Sequence, residues 1–176
     1  LSYYKNFFKN YNNEQAVGEV TPMYLCDSFA PKRIKKVLPK IKLIAILRNP
    51  IDMLYSLFWF GRAAVTANMP DNFETMLKEG KYLYRGKYFE HLKLFFDKFT
   101  NENIHIILLD DVKNNPEQVT KSLFKFLGVE ADFKPNVLNK KINKAIKSRH
   151  LLFKNVSKSV LRFLNKIGLH KQTKVS

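Results

Sequence analysis

Two short apolar runs, Ile41–Leu47 and Ile104–Leu109, constrain the fold of this chain more than any other feature. Both are rich in β-branched residues, are about as long as a β-strand, and become continuously apolar toward their C-terminal ends. This pattern is typical of strands that are buried on both faces, as in a parallel sheet. A short buried helix is the alternative that the pattern leaves open.

Each run leads into residues that start a helix. After the first run, Asn49 is a good N-cap and Pro50 suits the first helical position. After the second run, Asp110 and Asp111 are expected in a loop or at a helix entry, and the Asn-Pro pair then returns at Asn115-Pro116. The helix that follows is predicted to end at Gly128, because glycine readily adopts the left-handed conformation that closes helices.

The spacing of apolar residues predicts further helices, over residues 28–38, 71–78, 84–99 and 149–167. Strands that alternate with helices indicate an α/β domain. We therefore predict a single domain over residues 1–176, in which residues 1–132 form the core. Residues 133–176 form a basic C-terminal loop and helix.

The charge of the chain is strongly positive and unevenly distributed. The net charge is +16, and residues 133–176 carry 12 Lys or Arg but no Asp or Glu. This balance favours an anionic partner, such as nucleic acid, phospholipid, a nucleotide, or a sulfated or phosphorylated substrate. No apolar run approaches the ~20 residues of a membrane-spanning helix. The single cysteine, Cys26, excludes an internal disulfide and a metal site with several thiolates.

The end of the first strand is the candidate binding site, because ligands of open α/β sheets bind beyond the carboxyl ends of the strands. Arg48 offers a planar fork that suits phosphate oxygens, and the helix N-terminus adds free N–H groups. Asn49, Asp52 and Ser56 share one helix face, so the Ser56 hydroxyl can donate to an anion that Arg48 also binds. Asp52 opposes an anion unless it points aside or pairs with a basic group. The alternative is an ordinary helix start with Arg48 and Ser56 in solvent.

The stretch 41–56, an apolar strand followed by Arg-Asn-Pro and a later Ser, resembles the 3′-phosphate-binding element of sulfotransferases. These enzymes use 3′-phosphoadenosine 5′-phosphosulfate (PAPS). Further segments resemble the family in the same order: Gly18–Leu25, which looks like a short strand, then Pro31–Pro39, Gly86–Leu92, Ile104–Leu109 and Asn115–Gly128. The resemblance covers roughly residues 1–150 and is closest to the carbohydrate and bacterial branch. It implies a P-loop-NTPase-like parallel sheet flanked by helices.

The resemblance also implies roles for individual residues. Arg48 and Ser56, with Asn49 at the helix start, would bind the 3′-phosphate of PAPS. Family members close over the nucleotide with a basic loop, for which the candidate is 140–149, and Arg149 is its first candidate for a phosphate contact. Glu19, which follows a glycine near a predicted strand, is a candidate for approaching the acceptor hydroxyl, although the catalytic base stays unassigned.

One family element is absent from the sequence. Sulfotransferases bind the 5′-phosphosulfate with a Gly-, Lys- and Thr-rich loop, and none of the six glycines of this chain lies in a Gly-x-x-Lys-x-Gly-Thr arrangement. In the family this loop and the usual Glu or His base precede the segment that matches Leu1. We therefore expect a domain that is incomplete at its N-terminus and inactive as an isolated piece.

Taken with the resemblance, the sequence predicts transfer of a sulfuryl group from PAPS to a hydroxyl or an amine. The expected acceptor is a small molecule or a glycan, and a carbohydrate is favoured. No metal and no nucleic acid partner is expected. The single cysteine and the lack of a visible anchor favour the cytoplasm, and a membrane anchor upstream of Leu1 is the alternative. The alternative is a non-enzymatic basic module that binds nucleic acid or an anionic membrane surface through the C-terminal helix.

Overall fold

A computed structural model describes residues 4, 6–63 and 69–136 of the chain. The two strands are β1 (Leu43–Leu47) and β2 (Ile104–Leu108). The helices are α1 (Ala30–Val37), α2 (Pro50–Ala63), α3 (Phe73–Glu79), α4 (Tyr88–Phe96), α5 (Leu109–Asn114) and α6 (Pro116–Leu127). Four 3₁₀ turns lie at Asn6–Phe8, Pro22–Cys26, Leu83–Gly86 and Asn101–Asn103. Within these residues no helix is long and apolar enough to cross a membrane.

The two strands pair in parallel, as the sequence predicts. The register runs from Leu43 opposite Ile104 to Leu47 opposite Leu108. Because parallel strands end at the same edge of a sheet, Arg48 and the start of α5 lie at one edge. The protein is therefore an α/β fold whose parallel sheet is flanked by helices.

Two apolar clusters hold the helices in place. In the first, Ala30 of α1 packs with Phe95 and Phe99, and the partly buried strand residues Leu43 and Ile104 contact this cluster. In the second, Leu54 and Phe58 of α2 pack with Met76 of α3. Burying one such side chain contributes about 1.5–3 kcal/mol. The second cluster matters for the site, because it fixes α2 by the face opposite to Asp52 and Ser56.

The expectation that the strands are buried on both faces is wrong for the described residues. In β1 the exposed and less exposed positions alternate, and the Ile46 side chain is 60% exposed. In β2 Ile107 is buried, whereas Ile106 and Leu108 are exposed. The described helices cover the sheet only in part: α1 and α4 reach Leu43, and Phe126 of α6 stacks on His105 at 4.9 Å.

Two local predictions also differ from the structure. The expected strand at Gly18–Leu25 is irregular and ends in the 3₁₀ turn Pro22–Cys26, because Pro22 suits a helix start and donates no N–H to a ladder. Of the two roles expected for Asp110 and Asp111, the structure has the helix entry: both lie in the first turn of α5, where carboxylates interact favourably with the helix dipole. The helix expected over 84–99 is interrupted after Gly86 and resumes as α4.

Candidate functional site

The turn from β1 into α2 has the predicted helix start. The Oδ1 atom of Asn49 accepts hydrogen bonds from the N–H groups of Ile51, at 3.0 Å, and Asp52, at 3.4 Å. These bonds satisfy two of the N–H groups that a helix N-terminus leaves free. The N-cap role of Asn49 is confirmed, and the remaining partial positive charge of α2 points toward the end of β1.

Arg48 occupies the last position before this cap. Its side chain is 35% exposed, and one terminal nitrogen lies 3.6 Å from a carboxylate oxygen of Asp52. Its Nε atom is buried and has no hydrogen-bond partner among the described residues. A buried N–H donor without an acceptor costs free energy. The guanidinium is therefore suited to donate a hydrogen bond to a bound anion. Of the two alternatives for Asp52, the structure has the pairing with a basic group, and that group is Arg48 itself.

Ser56 lies two turns into α2 and is exposed to solvent. Leu54 and Phe58 on either side of it in sequence are buried, which turns Ser56 toward the solvent face that Asp52 also occupies. This geometry leaves the hydroxyl available to a ligand. Joint binding of one phosphate by Arg48 and Ser56 stays a prediction.

A corner between α2 and α4 completes the surroundings of Arg48. Gly86 packs so closely on Pro50 that a Cβ atom at Gly86 would lie 3.2 Å from the Pro50 Cβ. Two residues later, Tyr88 lies near both Arg48 and Cys26. Burial raises the pKa of Tyr88, and nearby Cys26 adds to this, whereas Arg48 opposes it. The Tyr88 phenol therefore stays neutral at physiological pH.

Sequence reasoning missed the role of this corner. In the sequence, the segment Gly86–Leu92 stands out only through a family resemblance. Its contact with Pro50 joins residues that are more than thirty positions apart in the chain. A signal was present, because a glycine directly before a helix is often required where two backbones approach closely. That signal does not reveal which backbone is the neighbour.

Cys26 lies at the same corner. Burial raises the pKa of its thiol, and the positive charge of Arg85 works in the opposite direction. A thiol with a raised pKa is a poor nucleophile at neutral pH, since the thiolate is the reactive form. The Arg85 guanidinium also lies over the Tyr84 ring, 5.8 Å from the ring centroid.

Glu19 is exposed and lies among tyrosines. Its carboxylate lies near the hydroxyls of Tyr4 and Tyr24. The pKa values of both tyrosines are raised, chiefly by burial and further by Glu19. The structure thus places Glu19 beside two tyrosines, and its catalytic role stays a prediction.

Other predicted features lie outside the described residues. Arg149, the basic loop 140–149 and the C-terminal helix over 149–167 all belong to this part of the chain. In the ranges that the structure describes, no group of three or more His, Cys, Asp or Glu side chains is arranged to hold a metal ion.

The sequence of this chain is similar to those of known proteins. The family model described as "Sulfotransferase domain" matches residues 5–173. Sulfotransferase 2A1 of Rattus norvegicus is 30% identical over 92 residues, which cover 51% of this chain and 32% of that protein. The bifunctional heparan sulfate N-deacetylase/N-sulfotransferase 1 of Xenopus laevis is 27% identical over 144 residues, which cover 73% of this chain and 16% of that protein.

A solved structure agrees in fold. The crystal structure of a sulfotransferase from Alicyclobacillus acidocaldarius superposes with a TM-score of 0.68 at 24% identity, and the match covers 97% of this chain and 72% of that one. The chain spans about a third or less of the length of the two curated relatives described above.

Proposed function

We propose, from the premise that this chain belongs to the sulfotransferase domain family, that it binds PAPS and serves transfer of its sulfuryl group to a hydroxyl or amine acceptor. Family members use PAPS as the sulfuryl donor and act on small-molecule or glycan acceptors. The observation that carries the proposal is the placement of Arg48. It ends a parallel strand, precedes a capped helix start, and keeps a buried Nε atom without a partner.

The residues at this edge suit the 3′-phosphate of the nucleotide. Arg48 supplies a charge-assisted donor, the α2 N-terminus supplies partial positive charge, and Ser56 supplies a neutral hydroxyl on the same side. Asn49 contributes by shaping the helix start, because its side-chain oxygen is occupied by two backbone N–H groups. We infer that Arg149 adds a further cation from the C-terminal loop.

The chemistry assigned to the complete domain is an in-line transfer. The bond from sulfur to the acceptor oxygen or nitrogen forms as the bond from sulfur to the 5′-phosphate oxygen breaks, and a base takes the acceptor proton. Within this chain the proposed task is to bind and orient the nucleotide, which lowers the entropic part of the barrier. Glu19 is the candidate for contact with the acceptor, and the base remains unassigned.

The acceptor is proposed to be a carbohydrate. The support is the match to heparan sulfate N-deacetylase/N-sulfotransferase, which extends over 73% of this chain. The proposed compartment is the cytoplasm, because its reducing conditions suit a chain with a single free cysteine, Cys26. Since the sequence contains no Gly-x-x-Lys-x-Gly-Thr loop, we expect the chain alone not to transfer sulfate.

Calorimetric titration with 3′-phosphoadenosine 5′-phosphate (PAP) tests the proposal. Arg48→Ala is expected to weaken binding by about 1.5–3 kcal/mol, as for the loss of a charged hydrogen bond. Arg33→Ala is the matched control, because Arg33 is an exposed arginine that pairs with Asp27 at 3.9 Å. Equal PAP affinity of the parent and Arg48→Ala, or a parent that does not bind PAP, would overturn the site.

A further inference from the structure

We propose that a cavity between β2 and the helices α5 and α6 is a binding site for a neutral, hydroxyl-rich ligand, namely a sugar ring. The cavity is open to solvent and has a volume of about 300 Å³, at the lower end of the range for small-molecule sites. Its lining shares no residue with the site assigned to the 3′-phosphate. The inference therefore does not rest on the proposed function.

The polar lining of the cavity combines several kinds of hydrogen-bonding group. One strand and two helices contribute an imidazole, a carboxylate, two amides and a hydroxyl, which belong to His105, Asp111, Asn115, Gln118 and Ser122. Amides and hydroxyls both donate and accept hydrogen bonds, and a carboxylate accepts them. A ring that carries several hydroxyl groups needs donors and acceptors side by side, so this lining suits it.

The helices fix the spacing of these groups. The Asn115 N–H donates to the Asp111 carbonyl oxygen at 2.8 Å, which closes the last turn of α5 and keeps the carboxylate and the amide on one side of it. Gln118 and Ser122 are likewise four residues apart on α6, so they share a face of that helix. Two regular helices thus hold four of the polar groups in a defined arrangement.

The polar groups of the lining are available to a ligand. In the part of the chain that the structure describes, none of the five polar side chains has a hydrogen-bond partner or an ion pair. The His105 ring stacks on the Phe126 ring with centroids 4.9 Å apart, and this contact sets the plane of the imidazole without using its nitrogens. A ligand that enters the cavity therefore breaks no polar protein contact of these side chains.

The rest of the lining is apolar. Ile107 of β2 is 5% exposed, and Val119 of α6 is half-buried. A sugar ring has C–H groups on its faces and hydroxyls around its rim, so an apolar wall beside polar groups matches both parts of it. A small inorganic anion has no apolar surface to place against these side chains.

The charge of the lining also favours a neutral ligand. The chain has a net charge of +16, yet among the described residues the cavity is lined by no Lys or Arg and by one carboxylate, that of Asp111. The nearby lysines of the two helices pair elsewhere, Lys113 with Asp110 and Lys121 with Asp132. An anion in the cavity would be repelled by Asp111 without a neighbouring cation to compensate.

Ligand-observed NMR of the full chain with neutral sugars tests this inference. Glucose, galactose, mannose and N-acetylglucosamine are titrated separately, and inorganic phosphate is the anionic competitor. We expect at least one of these sugars to bind with a dissociation constant below about 10 mM. We expect phosphate not to compete with it.

Asp111→Ala is the test variant, and Asp110→Ala is its matched control. Both remove a carboxylate from the first turn of α5, but only Asp111 lines the cavity, whereas Asp110 pairs with Lys113. We expect Asp111→Ala to weaken sugar binding about tenfold or more, as for the loss of a hydrogen bond to a charged group. Asp110→Ala should bind the sugar as the parent does, and both variants should keep the PAP affinity of the parent.

Three results would overturn the inference: no binding of any of the sugars, the same loss of sugar affinity in both variants, or displacement of the sugar by phosphate. The side-chain amide signals of Asn115 and Gln118 give a measurement that needs no variant, because we expect them to shift when the sugar is added. Unshifted signals contradict the cavity as the site even if Asp111→Ala does not fold. None of these results concerns PAP binding at Arg48, so the proposed function fails only on its own test.

Discussion

A terminal nitrogen of Arg48 lies 3.6 Å from a carboxylate oxygen of Asp52, one turn further along the chain. The carboxylate is more exposed than the guanidinium, so the pair is a surface ion pair of the weak kind. Asp52 also belongs to the face of α2 that carries Ser56. An incoming phosphate at this face would meet Arg48 as an attraction and Asp52 as a repulsion.

Asp52→Asn is therefore expected to strengthen PAP binding, by about 0.3–1 kcal/mol, and to leave Arg48 free for the phosphate. The same change should lower the free energy of unfolding by a few tenths of a kcal/mol, roughly the value of a carboxylate in the first helical turn. Calorimetry and urea denaturation measure the two effects. Asp71→Asn is the control, because Asp71 also lies 3.6 Å from an arginine, Arg62, and belongs to another helix start. Weaker PAP binding by Asp52→Asn would contradict this prediction.

The two asparagine caps separate stability from binding. Asn72 Oδ1 accepts from the Thr75 N–H at 2.8 Å, as Asn49 does from Ile51 at 3.0 Å. Asn49→Ala and Asn72→Ala should each lower the free energy of unfolding by about 1 kcal/mol. Only Asn49→Ala is expected to weaken PAP binding, because only this cap shapes the turn after Arg48. An equal loss of PAP affinity in both variants would show that Asn49→Ala weakens PAP binding only by lowering the stability of the fold.

Gly86→Ala tests the close packing of the α4 corner on α2. The new Cβ would lie 3.2 Å from the Pro50 Cβ, so we expect a loss of about 1–3 kcal/mol in the free energy of unfolding. Gly18→Ala is the control, since no heavy atom lies within 4 Å of a Cβ there. It should change the free energy by less than about 0.5 kcal/mol. Urea denaturation compares the two, and equal values would rule out the tight contact.

The pH dependence of stability should reflect Tyr88. Burial is the main cause that raises the pKa of Tyr88 above its ordinary value of 10.0, so the folded protein keeps the phenol proton more tightly than the unfolded chain. The resulting stabilisation is full below pH 10 and is lost as the pH rises through the raised value. The urea midpoint of the parent is expected to fall above about pH 10.

Tyr88→Phe should make this alkaline decrease shallower, because it removes one of the titrating groups. A residual decrease is expected from Tyr4 and Tyr24, whose pKa values are also raised by burial and by Glu19. An unchanged slope in Tyr88→Phe would contradict the assignment of the shift to Tyr88.

Features that depend on neighbours in sequence were predictable. The Asn49 cap and the end of α6 at Gly128, which has a φ of 79°, follow from preferences and hydrogen bonds that act over a few residues. The parallel pairing of the strands was predicted from their apolar pattern and their alternation with helices. The sequence left open whether Asp52 points aside or pairs with a basic group, and the structure pairs it with Arg48, one turn earlier.

Contacts across the chain were not predictable. The sequence alone established two apolar strands, an arginine at the end of the first, and a capped helix that presents Asp52 and Ser56 on one face. Only the tertiary structure decided that Gly86 packs on Pro50, that Tyr88 and Cys26 lie near each other, and that β1 alternates in exposure. The physical reason is distance along the chain: a helix cap is determined by residues that are already neighbours. The partner of the α2 N-terminus is set only when packing brings the 3₁₀ turn Leu83–Gly86, more than thirty residues later, against Pro50.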